Sequence, residues 1–307
     1  MADCLVIGGN GFLGSHLVDA LAERGHRVTA FDRFSSEPLY TAQGVTRVIG
    51  DFMNRSELSD ALAGQQNVFH FLSSTTPATS EDDPILDVHT NLAGSITLFE
   101  LAVEAGVRRV FFASTGGAIY GDQPAERITE DTLPLPISPY AIGKQAIEGY
   151  LRYFQRRHGL ESVSFRISNP YGPRQHPNKK QGVIPIFLQR IAEGLPITVL
   201  GDGTMMRDFV YVEDVARMIA ATVDGVPAHP VYNVGSGHGA TVNDVLALAR
   251  EITGREVSVQ YAPRPVTFLD RSVLDVGRYV GEFGQSASVS LREGMERTWQ
   301  VTLEQLA

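Results

Sequence analysis

Through the first half of the chain, apolar runs of strand length alternate with longer segments of helical period, and that order leaves few folds open. The runs are DCLVIG, RVTAFD, TRVIG, NVFHFL, RRVFFAS and SVSFRIS. The helical segments cover Gly11 to Arg24, Arg55 to Leu62, Pro84 to Ala105 and Ser138 to His158. Successive strands joined by crossover helices run parallel, so the fold class expected is α/β, with a doubly wound parallel sheet. After Asn169 the alternation loosens. NPYGPRQHPNKKQG is a loop by its Pro, Gly and Asn content. There follow a helix VIPIFLQRIAEG, a strand ITVLG, a turn DGTMMRD, a strand FVYV, a helix EDVARMIAATVDG, a strand VYNVG, a helix TVNDVLALAREITG and a last helix from near Ser290. No repeat, low-complexity tract or hinge-like linker interrupts this order, so a smaller C-terminal lobe is expected to be interwoven with the first domain. The expected boundaries are 1–168, with about 208–235 returning to it, and 169–207 with 236–307 for the second lobe.

A chain of 307 residues, 43% hydrophobic, can bury a sizeable core. Its net charge of -9 and pI near 5.4 argue against nucleic acid or an anionic membrane as partner, since both are polyanions. The single cysteine, Cys4, permits no intramolecular disulfide, which fits a reducing cytoplasm. The N-terminus shows no basic lead or cleavage site, and no apolar run approaches the ~18 residues of a membrane span.

VIGGNGFLGSHL sets Gly8, Gly11 and Gly14 at GxxGxxG spacing between a strand and a helix. The first glycine allows the tight turn, the second lets a pyrophosphate approach the backbone, and the third lets helix and strand pack closely. Phe12 and Leu13 lie in the helix's first turn, where N–H groups point at an anion. About 20 residues on, the next strand ends in Asp32, whose carboxylate can accept from both ribose hydroxyls and repels a 2′-phosphate. The expected cofactor is therefore NAD on a Rossmann-type sheet, although the neighbouring cation Arg33 leaves NADP open. Asp51 and Phe52, after the third strand, and Leu72, the last residue of the fourth, complete the expected dinucleotide contacts; Asp51 reads equally well as a turn carboxylate.

In SPYAIGKQAIEGY, Tyr140 and Lys144 share a helix face. A phenol has a pKa near 10, and bringing it to about 7 takes roughly 4 kcal/mol, which two nearby cations in a partly desolvated cleft can supply. Tyr140 is then a general base.

Taken together, the glycine turn, Asp32, NLAGSITLFELA, ASTGGAIYG, PYAIGK, RISNPYGPRQ, GDGTMMRDFVYVEDVA, YNVGSG and SLREGMERTWQ resemble the extended short-chain dehydrogenase/reductases, within the nucleotide-sugar epimerase/dehydratase family. The resemblance runs essentially end to end. It implies that Tyr140 is the catalytic base, that Lys144 binds the ribose and lowers the tyrosine pKa, and that Thr115 bonds the reacting sugar hydroxyl. One extra residue in STGGAIYG leaves Ser114 as the alternative hydroxyl. It further implies that the second lobe binds substrate, with Asn169 and Arg207 on the diphosphate or sugar, Arg264 as a second phosphate contact, and Ser272 as a small pocket-wall residue that admits an N-acetyl group. A 4,6-dehydratase of this family carries an acid/base pair after the Thr; here Gly116 and Gly117 stand there. The expected activity is thus 4-epimerisation of a UDP-hexose through a 4-keto sugar, with tightly bound NAD and no metal. A 4-ketosugar reductase and a non-catalytic dinucleotide sensor are the alternatives. The family commonly forms homodimers through the tyrosine-bearing helix, and Ile142, Ile147 and Leu151 are compatible with that or with core packing.

Overall fold

The structure is a computed structural model that describes residues 1–75, 77–175 and 182–306; the side chains of Pro77 and Ala78 are not described. The part of the expected loop at 176–181 lies outside the described residues. The chain divides into two compact units, one of 1–115, 136–166 and 216–232, the other of 116–135, 167–215 and 233–307.

In the first unit the apolar runs form β1 (Asp3–Ile7), β2 (Arg27–Asp32), β3 (Thr46–Ile49), β4 (Asn67–His70), β5 (Arg109–Thr115) and β6 (Glu161–Ile167). With the strand Val231–Val234 at one edge they make a seven-stranded sheet, which runs from that edge through β6, β5, β4, β1 and β2 to β3. The β1–β2, β2–β3, β1–β4 and β4–β5 pairings are all parallel. Strand order reverses between β1 and β4, and in such sheets ligands sit beyond the carboxyl ends of the strands at the reversal. The Rossmann-type sheet expected from the sequence is therefore present.

The helices of this unit are α1 (Phe12–Glu23), α2 (Arg55–Leu62), α3 (Pro77–Asp82), α4 (Pro84–Asp87), α5 (Gly94–Glu104) and α6 (Pro139–His158). The single helix expected from Pro84 to Ala105 is instead divided by a π-helical segment, Val88–Ala93. Its wider turn coincides with an inward-facing amide: Asn91 Oδ1 accepts from Ser74 N, and Nδ2 donates to Thr75 Oγ1 and Asp87 Oδ1. Helix α6 has clear termination signals. Ser138 Oγ caps Ala141 N, Pro139 occupies the first turn, and Gly159 at φ 73° closes the end, where Arg156, Arg157 and His158 complement the helix dipole. Its apolar face joins the core with Leu5, Phe99 and Phe112, and that face includes Ile147 and Leu151. Only Ile142 of the three residues considered for a dimer contact is exposed, at 52%.

The second unit contains β7 (Asn169–Tyr171), β8 (Ile197–Leu200), β9 (Met206–Tyr211), β11 (Gly239–Thr241), β12 (Val259–Ala262) and β13 (Arg271–Ser272), with Val231–Val234 being β10 in chain order. β9 pairs antiparallel with β11 and parallel with β7 and β13. The helices α7 (Val183–Ala192), α9 (Val242–Thr253) and α11 (Leu291–Leu306) pack around Phe187, Leu188, Tyr211, Leu246, Met295 and Trp299; α8 (Val212–Ala221) and α10 (Gly277–Phe283) complete the set. Among the described residues no helix is long and apolar enough to cross a membrane, and no cluster of side chains could hold a metal ion.

Candidate active site

The glycine turn needs its glycines. Gly8 adopts φ +83°, and a Cβ there would stand 2.9 Å from Leu72 N; a Cβ on Gly14 would fall 2.0 Å from Gly8 O. Gly11 caps α1 without a side-chain hydrogen bond, so nothing from the cap closes over the first-turn N–H groups at Phe12 and Leu13. At the end of β2, Asp32 Oδ2 accepts from Asn10 N at 3.0 Å and Oδ1 from Arg33 N at 2.7 Å, which fixes the carboxylate beside the turn. Open N–H donors next to a held acceptor fit a pyrophosphate joined to a ribose. The side chain of Asn10, not singled out from the sequence, donates to Glu37 O and accepts from Leu39 N, pinning the loop after Asp32.

Asp51 accepts from Met53 N, the geometry of a turn carboxylate. Phe52 is buried, stacked on His70 at 5.3 Å and filling the space where Gly94 has no side chain.

Tyr140 and Lys144 lie on one face of α6, with the Lys144 Nζ 5.5 Å from the centre of the tyrosine ring. Lys144 is buried; its Nζ donates to Ala113 O at 2.9 Å, at the end of β5, and lies 4.8 Å over the Phe112 ring. Burial holds its pKa down to about 8, against the pull of the Asp87 carboxylate. The Tyr140 phenol is pushed up to about 12, by burial first and by Asp87 second. In the chain alone, burial and the Asp87 carboxylate move the phenol upward, opposite to the lowering expected from two nearby cations. Beneath the pair, His70 is kept neutral by burial, its pKa down to about 3, and its Nε2 bonds Ser95 Oγ at 2.7 Å.

The two candidate hydroxyls at the end of β5 have different surroundings. Ser114 Oγ donates to Glu148 Oε1 at 2.6 Å, and Glu148 in turn holds the guanidinium of Arg166 at 2.8 Å, with both side chains buried. Ser114 is therefore committed to a structural network, whereas Thr115 points to the other side of the strand. Glu148 was missed from the sequence, although it continues the helix-face series Tyr140, Lys144, Glu148.

In the second unit, Arg207 stands on β9 in register with Ser272 on β13. Its guanidinium donates to the carbonyls of Met206 and Leu269, both at 2.8 Å. Burial draws its pKa below the usual guanidinium value, while the Asp122 carboxylate opposes the shift. Arg264 is paired with Asp270, so its charge is already partnered. Ser272 is buried and donates to Gly116 O at 3.2 Å. Asn169 donates to Asp208 O at 3.3 Å, and its amide faces Gly117, where an added Cβ would sit 3.4 Å away.

A parallel sheet with a glycine turn and held carboxylate at its reversal, beside a Tyr140–Lys144 helix, defines a dinucleotide-binding short-chain dehydrogenase/reductase of the extended kind. The chain belongs to the NAD dependent epimerase/dehydratase family, whose model matches residues 4–235. Among solved structures it resembles a UDP-glucose 4-epimerase of Thermotoga maritima with UDP-glucose: TM-score 0.93, 36% identity, covering 99% of each chain. A UDP-glucose 4-epimerase of Thermus thermophilus in complex with NAD gives a TM-score of 0.91 at 37% identity and 98% of each chain. A UDP-glucose 4-epimerase of Mycolicibacterium smegmatis is 34% identical over 302 residues, 96% of either chain.

Proposed function

We propose that this protein is an NAD-dependent 4-epimerase of a UDP-hexose. The observation that carries the reading is the end of β5: Thr115 is followed by Gly116 and Gly117, so the turn provides a hydroxyl and no second acid or base. That composition suits an oxidation reversed at the same carbon and lacks the pair an elimination needs. Two similar epimerase structures, one with UDP-glucose and one in complex with NAD, support the same substrate class and cofactor.

Bound NAD in its oxidised form supplies the hydride acceptor for sugar C4 and a ring cation that lowers the phenol pKa. The Tyr140 Oη takes the proton from the 4-hydroxyl, which Thr115 orients by hydrogen bonding. Lys144 keeps a positive charge beside the phenol and, with Asp32, binds ribose hydroxyls. Arg207 and Asn169 hold the diphosphate end of the substrate, and Arg264 joins them only on leaving Asp270. The small Ser272 leaves space for an N-acetyl group, so both UDP-Glc and UDP-GlcNAc are expected substrates. Homodimers are part of the proposal through the exposed face of α6, where Ile142 and Tyr153 stay open; analytical ultracentrifugation tests this.

The test is to incubate the purified protein with UDP-Glc and, separately, UDP-GlcNAc, and to follow the anomeric protons by NMR. The 4-epimer is expected to form with no net NADH. Stoichiometric NADH consumption on a 4-keto sugar, with no epimer formed, overturns the reading in favour of a reductase.

A further inference from the structure

Asp87 ends α4, is only 3% exposed as a residue, and belongs to a helix packed against the one that carries Tyr140 and Lys144. Its Oδ1 accepts from Thr75 Oγ1 and, at 2.8 Å, from Asn91 Nδ2. Its Oδ2 faces the backbone of α6: a Cβ built on Gly143 would come within 2.8 Å of it. Gly143 immediately precedes Lys144 and lies three residues after Tyr140. We propose that Asp87 is a positioning residue for the Tyr140–Lys144 pair, a fixed negative charge seated against the turn that joins them, which keeps the lysine cationic; this rests on reading that pair as the acid–base site. Gly143 is then the residue that makes room for the seat.

Among the described residues, the other charged and titratable groups on the elements around the pair are neutral, have partners of their own or face solvent. His70 on β4 is neutral, and Glu148 on α6 is bound to Arg166. Glu100 and Glu104 on α5 reach Arg55, and Arg109 on β5 pairs with Glu161. Glu81, Asp82, Asp83 and His89, on the segments around α3 and α4, are exposed to solvent. Asp87 opposes the burial that lowers the Lys144 pKa and adds to the burial that raises that of Tyr140. Such a charge has a double effect: it holds the cation in place and keeps the phenol protonated until positive charge arrives.

Lysine titration gives a direct test, because the sequence has three lysines, Lys144, Lys179 and Lys180. With 13Cε-labelled lysine, the Lys144 signal is assigned by its loss in Lys144→Arg and followed by NMR against pH. In the wild type it is expected to titrate near 8. Asp87→Asn preserves shape and removes the charge, and should make the ammonium about tenfold more acidic, a shift of about one pH unit downward. Gly143→Ala retains the charge but displaces it, and should give a smaller shift of the same sign; it decides the matter if the asparagine variant does not fold. An unchanged Lys144 titration in a folded variant overturns the proposal. No substrate is needed, so the outcome stands apart from whether UDP-hexoses are epimerised. Where turnover is measurable, the alkaline limb of kcat should move to lower pH by the same amount in Asp87→Asn. A lower rate on an unmoved limb means that Asp87 is only structural, which also overturns the proposal.

Discussion

Two buried carboxylates, one in each unit, fix segments of the candidate site by opposite means. In the first unit, Glu148 ties α6 to the sheet through the Ser114 hydroxyl and a buried ion pair with Arg166. In the second, Asp208 lies next to Arg207 on β9 and gathers Ser236 N, Ser236 Oγ, Gly237 N and Leu274 N, at 2.8, 2.6, 3.1 and 3.3 Å, with hydrogen-bond donors in place of a cation. The donors around Asp208 are mostly backbone groups outside the strands, at Ser236, Gly237 and Leu274, so one side chain satisfies N–H groups of irregular chain. An ion pair locks two regular elements together; a ring of N–H donors gives shape to irregular chain.

The comparison can be broken or sharpened by substitution. The largest expected effect is on chemistry: Tyr140→Phe should lower kcat by about 10²–10⁴ while leaving dinucleotide affinity, read by calorimetry, within a few-fold. Wild-type turnover in that variant removes Tyr140 from the mechanism. Next comes Glu148→Ala, which leaves the Arg166 charge buried and should cost about 3–5 kcal/mol in denaturant unfolding. Asp208→Asn should cost less, about 1.5–3 kcal/mol, because it removes charge-assisted hydrogen bonds without stranding a cation. Equal losses in these two variants would erase the distinction between the two devices. The smallest effect is a pH slope. His70 takes a proton in the fold only near 3, against an ordinary 6.5 in the unfolded chain. The unfolded chain therefore binds the extra proton as pH falls below about 6.5, and stability present above that value is lost towards acid. His70→Gln should flatten the slope between about pH 6 and 4 in urea titrations.

Much of this was legible in the sequence. The runs that became β1 to β6 are long enough to show their pattern, and α2 and α6 carry their own cap and stop signals at Asn54, Ser138 and Gly159. β7, β11 and β13 are two or three residues long and exist only because β9 offers them partners, so no local pattern announces them. The π segment hides in a continuous helical period, since the Asn91 contacts that accompany it are made only in three dimensions. At the site, residue spacing placed Tyr140 with Lys144, but it could not separate Ser114 from Thr115. Adjacent strand residues look alike in one dimension, and Glu148 is what distinguishes their surroundings. Asp87 escaped notice because an aspartate that follows the acidic run Glu81, Asp82 and Asp83 into a helix start reads as an ordinary solvated residue.

Neither compact unit is a continuous stretch of chain, and this has a consequence for synthesis on the ribosome. β6 is finished at residue 167, but the edge strand that pairs with it begins only at Val231. At about 5–20 residues per second, the growing polypeptide therefore carries an unpaired sheet margin for roughly 3–13 s before its neighbour is even made. In that interval the margin is a template for any passing strand, and its protection falls to chaperones or to dilution until translation catches up.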